Sequence, residues 1–146
     1  MNPTHTDRPT VGSAMTTELL TVAPDDRLDL AGLLMERRRI RQLVVVDHDG
    51  RLLGIVSYRA VLRLLAARRA GEIEEGGRVD AFMIPDPVTV TTATPLREAI
   101  RLMLEHDVSA VPVVDDHRVV GILSEHDVAR VAGELLADAP RRTDAP

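Results

Sequence analysis

The sequence predicts an α+β fold built from two β-α-β-β-α repeats, related by a pseudo-twofold axis and enclosing a cleft. Three observations predict it. The first is repetition. Met15 … Thr21-Val22 … Leu28 … Ala31 … Leu34-Met35 … Val45-Val46-Asp47 returns 68 residues later as Met83 … Thr89-Val90 … Leu96 … Ala99 … Leu102-Met103 … Val113-Val114-Asp115. Gly54-Ile55-Val56-Ser57 returns 67 residues later as Gly121-Ile122-Leu123-Ser124. Over 15–47 against 83–115 and 54–61 against 121–128, 14 of 41 positions are identical, where unrelated chains of average composition share roughly one in sixteen. The second is periodicity, which alternates between short β-branched runs and helical stripes in both copies. The third is size. A half of this 146-residue chain buries too little surface to stand comfortably alone, so two equivalent units form one body.

The elements follow in order. Residues 1–10 are polar and rich in Pro, Thr and Asp, and read as a disordered N-terminal tail. The first repeat spans 11–69. Val11–Thr16 leads in as a short helical turn, and Leu20–Val22 is a short strand. Asp26 suits an N-cap. Leu28, Ala31, Leu34 and Met35 then mark a helix ending near Arg39. Leu43–Val46 is a strand, Asp47-His48-Asp49-Gly50 a turn that uses the Asp-Gly step, and Leu52–Val56 the returning strand. A second helix runs from Tyr58 to Arg69. Residues 70–78, with three Gly and three Glu, form the linker. The second repeat spans 79–137, with a first strand at Val88–Val90, Thr94 as cap and Pro95 in the first helical turn. Its apolar stripe is Leu96, Ala99, Ile100 and Met103. The hairpin Val111–Val114 and Val119–Leu123 and a closing helix Glu125–Ala137 complete it. Residues 138–146 read as a disordered C-terminal tail.

Composition excludes several function classes. One Tyr, one Phe and no Trp leave almost nothing to stack exposed bases. A net charge of −5 argues against a broad grip on phosphate backbones, so no nucleic-acid partner is expected. The charge is uneven: residues 1–70 carry 11 Arg against 8 acids, and residues 71–146 carry 7 Arg against 15 acids. With no Cys there is no disulfide, thiolate nucleophile or Cys metal site. The five His show no HxxxH or HExxH spacing, so no metal is expected. No apolar run approaches the ~20 residues of a membrane span, and the first residues lack a signal-peptide core. A cytoplasmic protein without a membrane partner is the expectation.

In order and twice over, these marks resemble the cystathionine-β-synthase (CBS) domain, two of which usually associate as a pair. They are Met-Thr near the start, Thr-Val in the first strand, the amphipathic helix, Val-Pro-Val-Val-Asp closing at Asp115, and the Gly-hydrophobic-x-Ser-x-x-Asp box. The likeness covers about residues 11–137, and the chain looks like a stand-alone CBS pair. The resemblance implies a regulatory sensor that binds an adenosine nucleotide (AMP, ADP or ATP) or an S-adenosyl compound in the cleft. It implies no catalytic cofactor. In the complete box, Gly121-Ile122-Leu123-Ser124-Glu125-His126-Asp127, it assigns Asp127 to the ribose hydroxyls and Ser124 to a phosphate. A carboxylate can accept from both hydroxyls of a cis-diol, and a strand-to-helix junction favours an anion. Arg41 is implied as a phosphate contact from the partner repeat, with Arg59 as a second candidate; an Arg fork suits phosphate. Met83, Val88, Val90, Val108, Val111 and Pro112 are expected to wall the base. In the first copy the box reads Gly54-Ile55-Val56-Ser57-Tyr58-Arg59-Ala60. Ala60 replaces the aspartate, so that site is degenerate, with Ser57 left to hold an anion.

Each assignment competes with a structural role. Asp127 could serve only the dipole of the closing helix, and Ser124 could be an N-cap. Arg37, Arg38 and Arg39 fit a solvated helix end. Met35 and Met103 are core residues. Ser124, His126 and Asp127 lie within one helical turn and cannot line up as a triad. No nucleophile–base pair or Gly-Lys-Ser/Thr loop is present, so no enzymatic activity is expected. The second helices carry more apolar residues than one buried stripe needs: Val61, Leu62, Leu64 and Leu65 in one, Val128, Val131, Leu135 and Leu136 in the other. Such excess marks an interface. A twofold homodimer through helices 58–69 and 125–137 is expected, alongside an unidentified regulated protein. An assembly module with a vestigial site is the alternative function.

Overall fold

The structure, a computed structural model, describes residues 8–73 and 76–138. In chain order the elements are α1 (Val11–Ala14), β1 (Thr21–Val22), α2 (Leu28–Arg38), β2 (Gln42–Val46), β3 (Leu52–Ser57), α3 (Tyr58–Arg69), α4 (Val79–Phe82), β4 (Ile84–Pro85), α5 (Leu96–His106), β5 (Ala110–Asp115), β6 (Arg118–Ser124) and α6 (Glu125–Asp138). The expected β-α-β-β-α order holds in the first copy; in the second, α5, β5, β6 and α6 follow as expected while β4 precedes the expected first strand, and each copy has a short lead-in helix. Most of the expected tails lies outside the described residues. Pro9 and Thr10 do not belong to a free tail: the Pro9 carbonyl accepts from the Leu96 N–H, and Thr10 bridges Pro95.

One sheet has the order β1-β2-β3-β4, with β1 parallel to β2 and the other pairs antiparallel. The second contains the β5–β6 hairpin, extended by bridges from Val90 to Val113 and from Thr16 to Ile122. The expected strand at Val88–Val90 thus shrinks to one bridge. Pro112 explains the difference. In the first copy the Val44 N–H donates to the Leu20 carbonyl at 3.5 Å; at the equivalent position Pro112 has no N–H to offer Val88.

The caps fall one residue later than expected. Arg27 and Pro95 are the N-caps of α2 and α5, and neither uses its side chain. Asp26 and Thr94 instead close the preceding turns, accepting from the Ala23 N–H at 2.8 Å and the Thr91 N–H at 3.0 Å. Both helices end on a left-handed residue, Arg39 (φ 53°) and Asp107 (φ 51°). The chain then turns sharply into β2 and β5, beside the cleft.

The sequence repeats are not the packing units. Val11 and Ala14 of α1 are buried with Leu96, Ala99, Met103 and Leu123 of the second repeat. Val79 of α4 is buried with Leu28, Met35, Val56 and Leu64 of the first. Each lead-in crosses to the other core. Arg130 donates to the Ala14 carbonyl at 2.8 Å, and its counterpart Arg63 donates to the Phe82 carbonyl at 2.9 Å. These bonds tie down the ends of α1 and α4, where carbonyls lack helical partners. Glycine makes the crossing possible. A Cβ on Gly121 would lie 2.7 Å from Met15 Sδ and 2.9 Å from the Thr16 carbonyl oxygen; one on Gly54 would meet Met83 Sδ and the Ile84 carbonyl, both at 2.7 Å. The fully buried residues of both cores are aliphatic apart from Met, with Phe82 packed against the first, and the exchanged arms join the two.

Candidate ligand cleft

A cleft of about 960 Å³ opens between the repeats, within the size range of small-molecule sites. The first repeat contributes Arg39, Ile40 and Arg41 from the turn into β2, and Ser57, Tyr58 and Arg59 from the start of α3. The second contributes the matching segments, His106–Ala110 and Ser124–Asp127. A bond from Gln42 Nε2 to Ser109 Oγ joins the two walls directly.

Asp127 is the most constrained group there. It is 4% exposed, the one buried charged residue among the described residues. Its Oδ2 accepts from the Ser124 backbone N–H at 2.9 Å and from Ser124 Oγ at 3.0 Å, while its own N–H donates to Ser124 Oγ at 3.3 Å. This is a reciprocal capping box, so the structural roles weighed for Ser124 and Asp127 are both real. Oδ1 accepts from Thr16 Oγ1 at 2.9 Å and lies 3.8 Å from the Arg130 guanidinium. The carboxylate is thus fixed against the cleft wall with acceptor capacity remaining on Oδ1.

The first repeat lacks this assembly. Ala60 is buried in its core, and Ser57 makes no side-chain cap bond. Ile84, the counterpart of Thr16, is 48% exposed and paired with Ile55, as Thr16 is with Ile122. Thr16 and Asp127 therefore occur together in one half-site, and Ile84 and Ala60 replace both in the other. Thr16 is a candidate site residue that the sequence does not single out; its bond to Asp127 marks it. The paired loss is visible in the sequence, but its meaning depends on the crossed lead-in.

Seven of the twelve predicted site residues line the cleft: Asp127, Ser124, Arg41, Arg59, Ser57, Val88 and Val108. The other five do not, for reasons of packing. Met83 fills the space over Gly54 against the first core. Val90 and Val111 are buried in the second core, Pro112 is fully buried under the Val90 contact, and Ala60 is core.

Charge divides the cleft into unlike walls. Arg39, Arg41 and Arg59 lie on the first-repeat side, with Asp86. None of the three arginines has an ion-pair partner among the described residues. Glu18, Asp107, Glu125 and Asp127 lie on the other side with His106 and His126. The counterparts of the three arginines are Asp107, Ser109 and His126, so the polarity arises where the two copies differ. Among the described residues no group of three metal-ligating side chains comes together, and no helix is long and apolar enough to cross a membrane.

Comparison with known proteins agrees with this architecture. The family model described as CBS domain matches residues 11–67 and 79–134. The structure of CBSX2 from Arabidopsis thaliana in complex with AMP is 33% identical, with a TM-score of 0.76 over 88% of this chain and 98% of that one. The CBS domain pair of protein MJ0100, in complex with 5′-methylthioadenosine and S-adenosyl-L-methionine, is 25% identical, with a TM-score of 0.78 over 88% of this chain and 99% of its own. A CBS domain-containing protein of Dictyostelium discoideum is 31% identical over 89% of this chain and 95% of its own length. Of other curated relatives the chain spans a smaller part, 41% of one and 25% of another.

Proposed function

The chain belongs to the CBS domain family, and on that premise we propose that it is a non-catalytic sensor module for an adenosine nucleotide (AMP, ADP or ATP). The nucleotide binds between the repeats, mainly at the second-repeat half-site. One observation carries the reading: a single buried carboxylate, Asp127, held at the cleft wall by Ser124 and Thr16. It accepts three hydrogen bonds already, and a carboxylate offers about four lone-pair sites. The remaining site, together with the Thr16 bond exchanged for a ligand hydroxyl, supplies two acceptors for a ribose cis-diol. The AMP bound to CBSX2 supports the ligand class.

The polarity of the walls supports an orientation. The ribose sits on the acidic wall at Asp127, and the phosphates point toward Arg41 and Arg59, with Ser124 at their near end. Val88 and Val108 flank the base. The nucleotide then touches both repeats, and the form of the cleft that fits it is favoured over any other. A regulated protein reads that change. A homodimer formed through α3 and α6 is part of the same reading.

An S-adenosyl ligand is the second reading. The compounds bound to the MJ0100 pair favour it, as do Glu18, Asp107 and Glu125, which suit a sulfonium centre. An assembly module with a vestigial site is the third, supported by the exposed leucines of α3 and α6. Replacing the ribose by its 2′-deoxy form tests the central contact. Calorimetric titration is expected to give binding of ATP or AMP at least tenfold tighter than of the matching 2′-deoxynucleotide, since a bond to a charged acceptor contributes about 1.5–3 kcal/mol. Equal affinities would remove Asp127 from the ribose.

A further inference from the structure

We propose, on the reading that a ribose sits at the second half-site, that the first half-site takes a different ligand: a small carboxylic acid with an apolar or aromatic body. The two half-sites differ at four equivalent positions, all in one sense. Where the second has Thr16, Glu125, His126 and Asp127, the first has Ile84, Tyr58, Arg59 and Ala60. A hydroxyl and two carboxylates give way to apolar or aromatic side chains, and a histidine gives way to an arginine.

A sugar fits the result badly. Ribose hydroxyls placed against Ile84 and the buried Ala60 would find no carboxylate to accept from them, and a buried donor without a partner costs free energy. An apolar body fits. Ile84 and Tyr58 line the cleft and are 48% and 43% exposed. Ile84 is paired with Ile55, which also lines the cleft, so the two side chains share one face of the sheet. At about 960 Å³ the cleft admits a small molecule.

Charge sets the other half of the ligand. Arg39, Arg41 and Arg59 stand on this wall against one acid, Asp86, and have no ion-pair partner among the described residues. A carboxylate matches the guanidinium fork with two parallel bonds. Ser57, two positions before Arg59, makes no side-chain cap bond and leaves its hydroxyl to donate as well. The acid therefore lies with its carboxylate on Arg59 and Ser57 and its body over Tyr58 and Ile84. The sensor reading places nucleotide phosphates on Arg59 too. One guanidinium called on by two anions makes the ligands antagonists, and the antagonism is reciprocal.

The probe is 2-naphthoate, titrated by its own fluorescence into the full chain. Its uncharged counterpart, 2-naphthalenemethanol, isolates the carboxylate. Saturable binding of naphthoate is expected, at least tenfold tighter than that of the alcohol. Arg59→Gln is expected to weaken it by about tenfold or more, on the scale of a charge-assisted bond. Ile84→Thr, which restores the residue of the other half-site, is expected to weaken it by about fourfold, on the scale of one buried methylene. Each variant is first shown folded by its thermal transition. No saturable binding, equal binding of acid and alcohol, or affinity unchanged in both variants would overturn the proposal. Saturating ATP is expected to lower the affinity for naphthoate; ATP that binds and leaves naphthoate undiminished would overturn the shared arginine. If ATP does not bind at all, the sensor reading fails and the naphthoate titrations still decide this one.

Discussion

At the scale of single residues, Asp127 combines two tasks. Its Oδ2 closes a capping box with Ser124, and its Oδ1 faces the cleft beside Thr16. Arg41 and Arg59 carry no such structural load: both are exposed at the cleft and have no ion pair among the described residues. Their removal separates binding from folding. Arg41→Gln with Arg59→Gln is expected to weaken ATP by about tenfold or more, on the scale of charge-assisted hydrogen bonds. Adenosine, which has no phosphate, should bind unchanged, and the melting temperature should stay within a degree or two. Titration of both ligands into both proteins checks this. Asp127, Ser124, Arg41 and Arg59 were legible because a motif or a charge marks them. Thr16 was not, because its partner lies 111 positions away and no local pattern links them.

At the scale of elements, the starts of α2 and α4 lie side by side, and each has its own ion pair. Arg27 bonds Asp29 at 2.7 Å, and Arg78 bonds Asp80 at 2.9 Å. Arg27 and Arg78 also face each other in a backbone bridge. The hydrogen bond from Arg27 holds the Asp29 carboxyl below its ordinary value, and the bond from Arg78 does the same for Asp80. A carboxylate with a folded-state value below the unfolded one stabilises the fold above the unfolded value, near 3.9. That stability is lost as pH falls through the folded value. Asp29→Asn with Asp80→Asn is therefore expected to lower the neutral plateau slightly, because the pairs are exposed, and to leave the acid end nearly unchanged, so that the acid limb falls less steeply below about pH 4. Denaturant unfolding from pH 7 to 3 reads it; an unchanged acid limb would show that the pairs contribute nothing. The helices themselves were predictable to within one residue from the spacing of Leu28, Ala31 and Met35 and of Leu96, Ala99 and Met103. Their caps were not. Asp26 and Thr94 have the right chemistry for a cap, but spend it on the turn before.

At the scale of the whole molecule, the crossed lead-ins decide how the parts relate. Repetition revealed two equal units, but not that each completes its core with the arm of the other. Met15 over Gly121 and Met83 over Gly54 are contacts between sequence repeats. The arm that fills the second core also brings Thr16 to Asp127, so the fold's connectivity and the half-site have one origin. Four of the six residues expected to wall the base, Met83, Val90, Val111 and Pro112, do not line the cleft, and the reason lies at this scale as well. Their side chains are the aliphatic kind that a base pocket and a core share, and only the packing tells the two apart. Polarity of the cleft has the same basis, since Arg39, Arg41 and Arg59 face segments whose equivalents are Asp107, Ser109 and His126. A nucleotide that spans the walls meets a different chemistry at each end.

The most direct test of this account is calorimetric titration of the native chain and of Asp127→Ala with ATP and AMP, each protein first shown folded by its thermal transition. The account predicts saturable binding near one nucleotide per chain. In Asp127→Ala, affinity is lost by at least tenfold, while the variant melts with a loss of only about 1 kcal/mol from its broken cap. Undiminished binding by Asp127→Ala, or no binding of either nucleotide to the native chain, would contradict it.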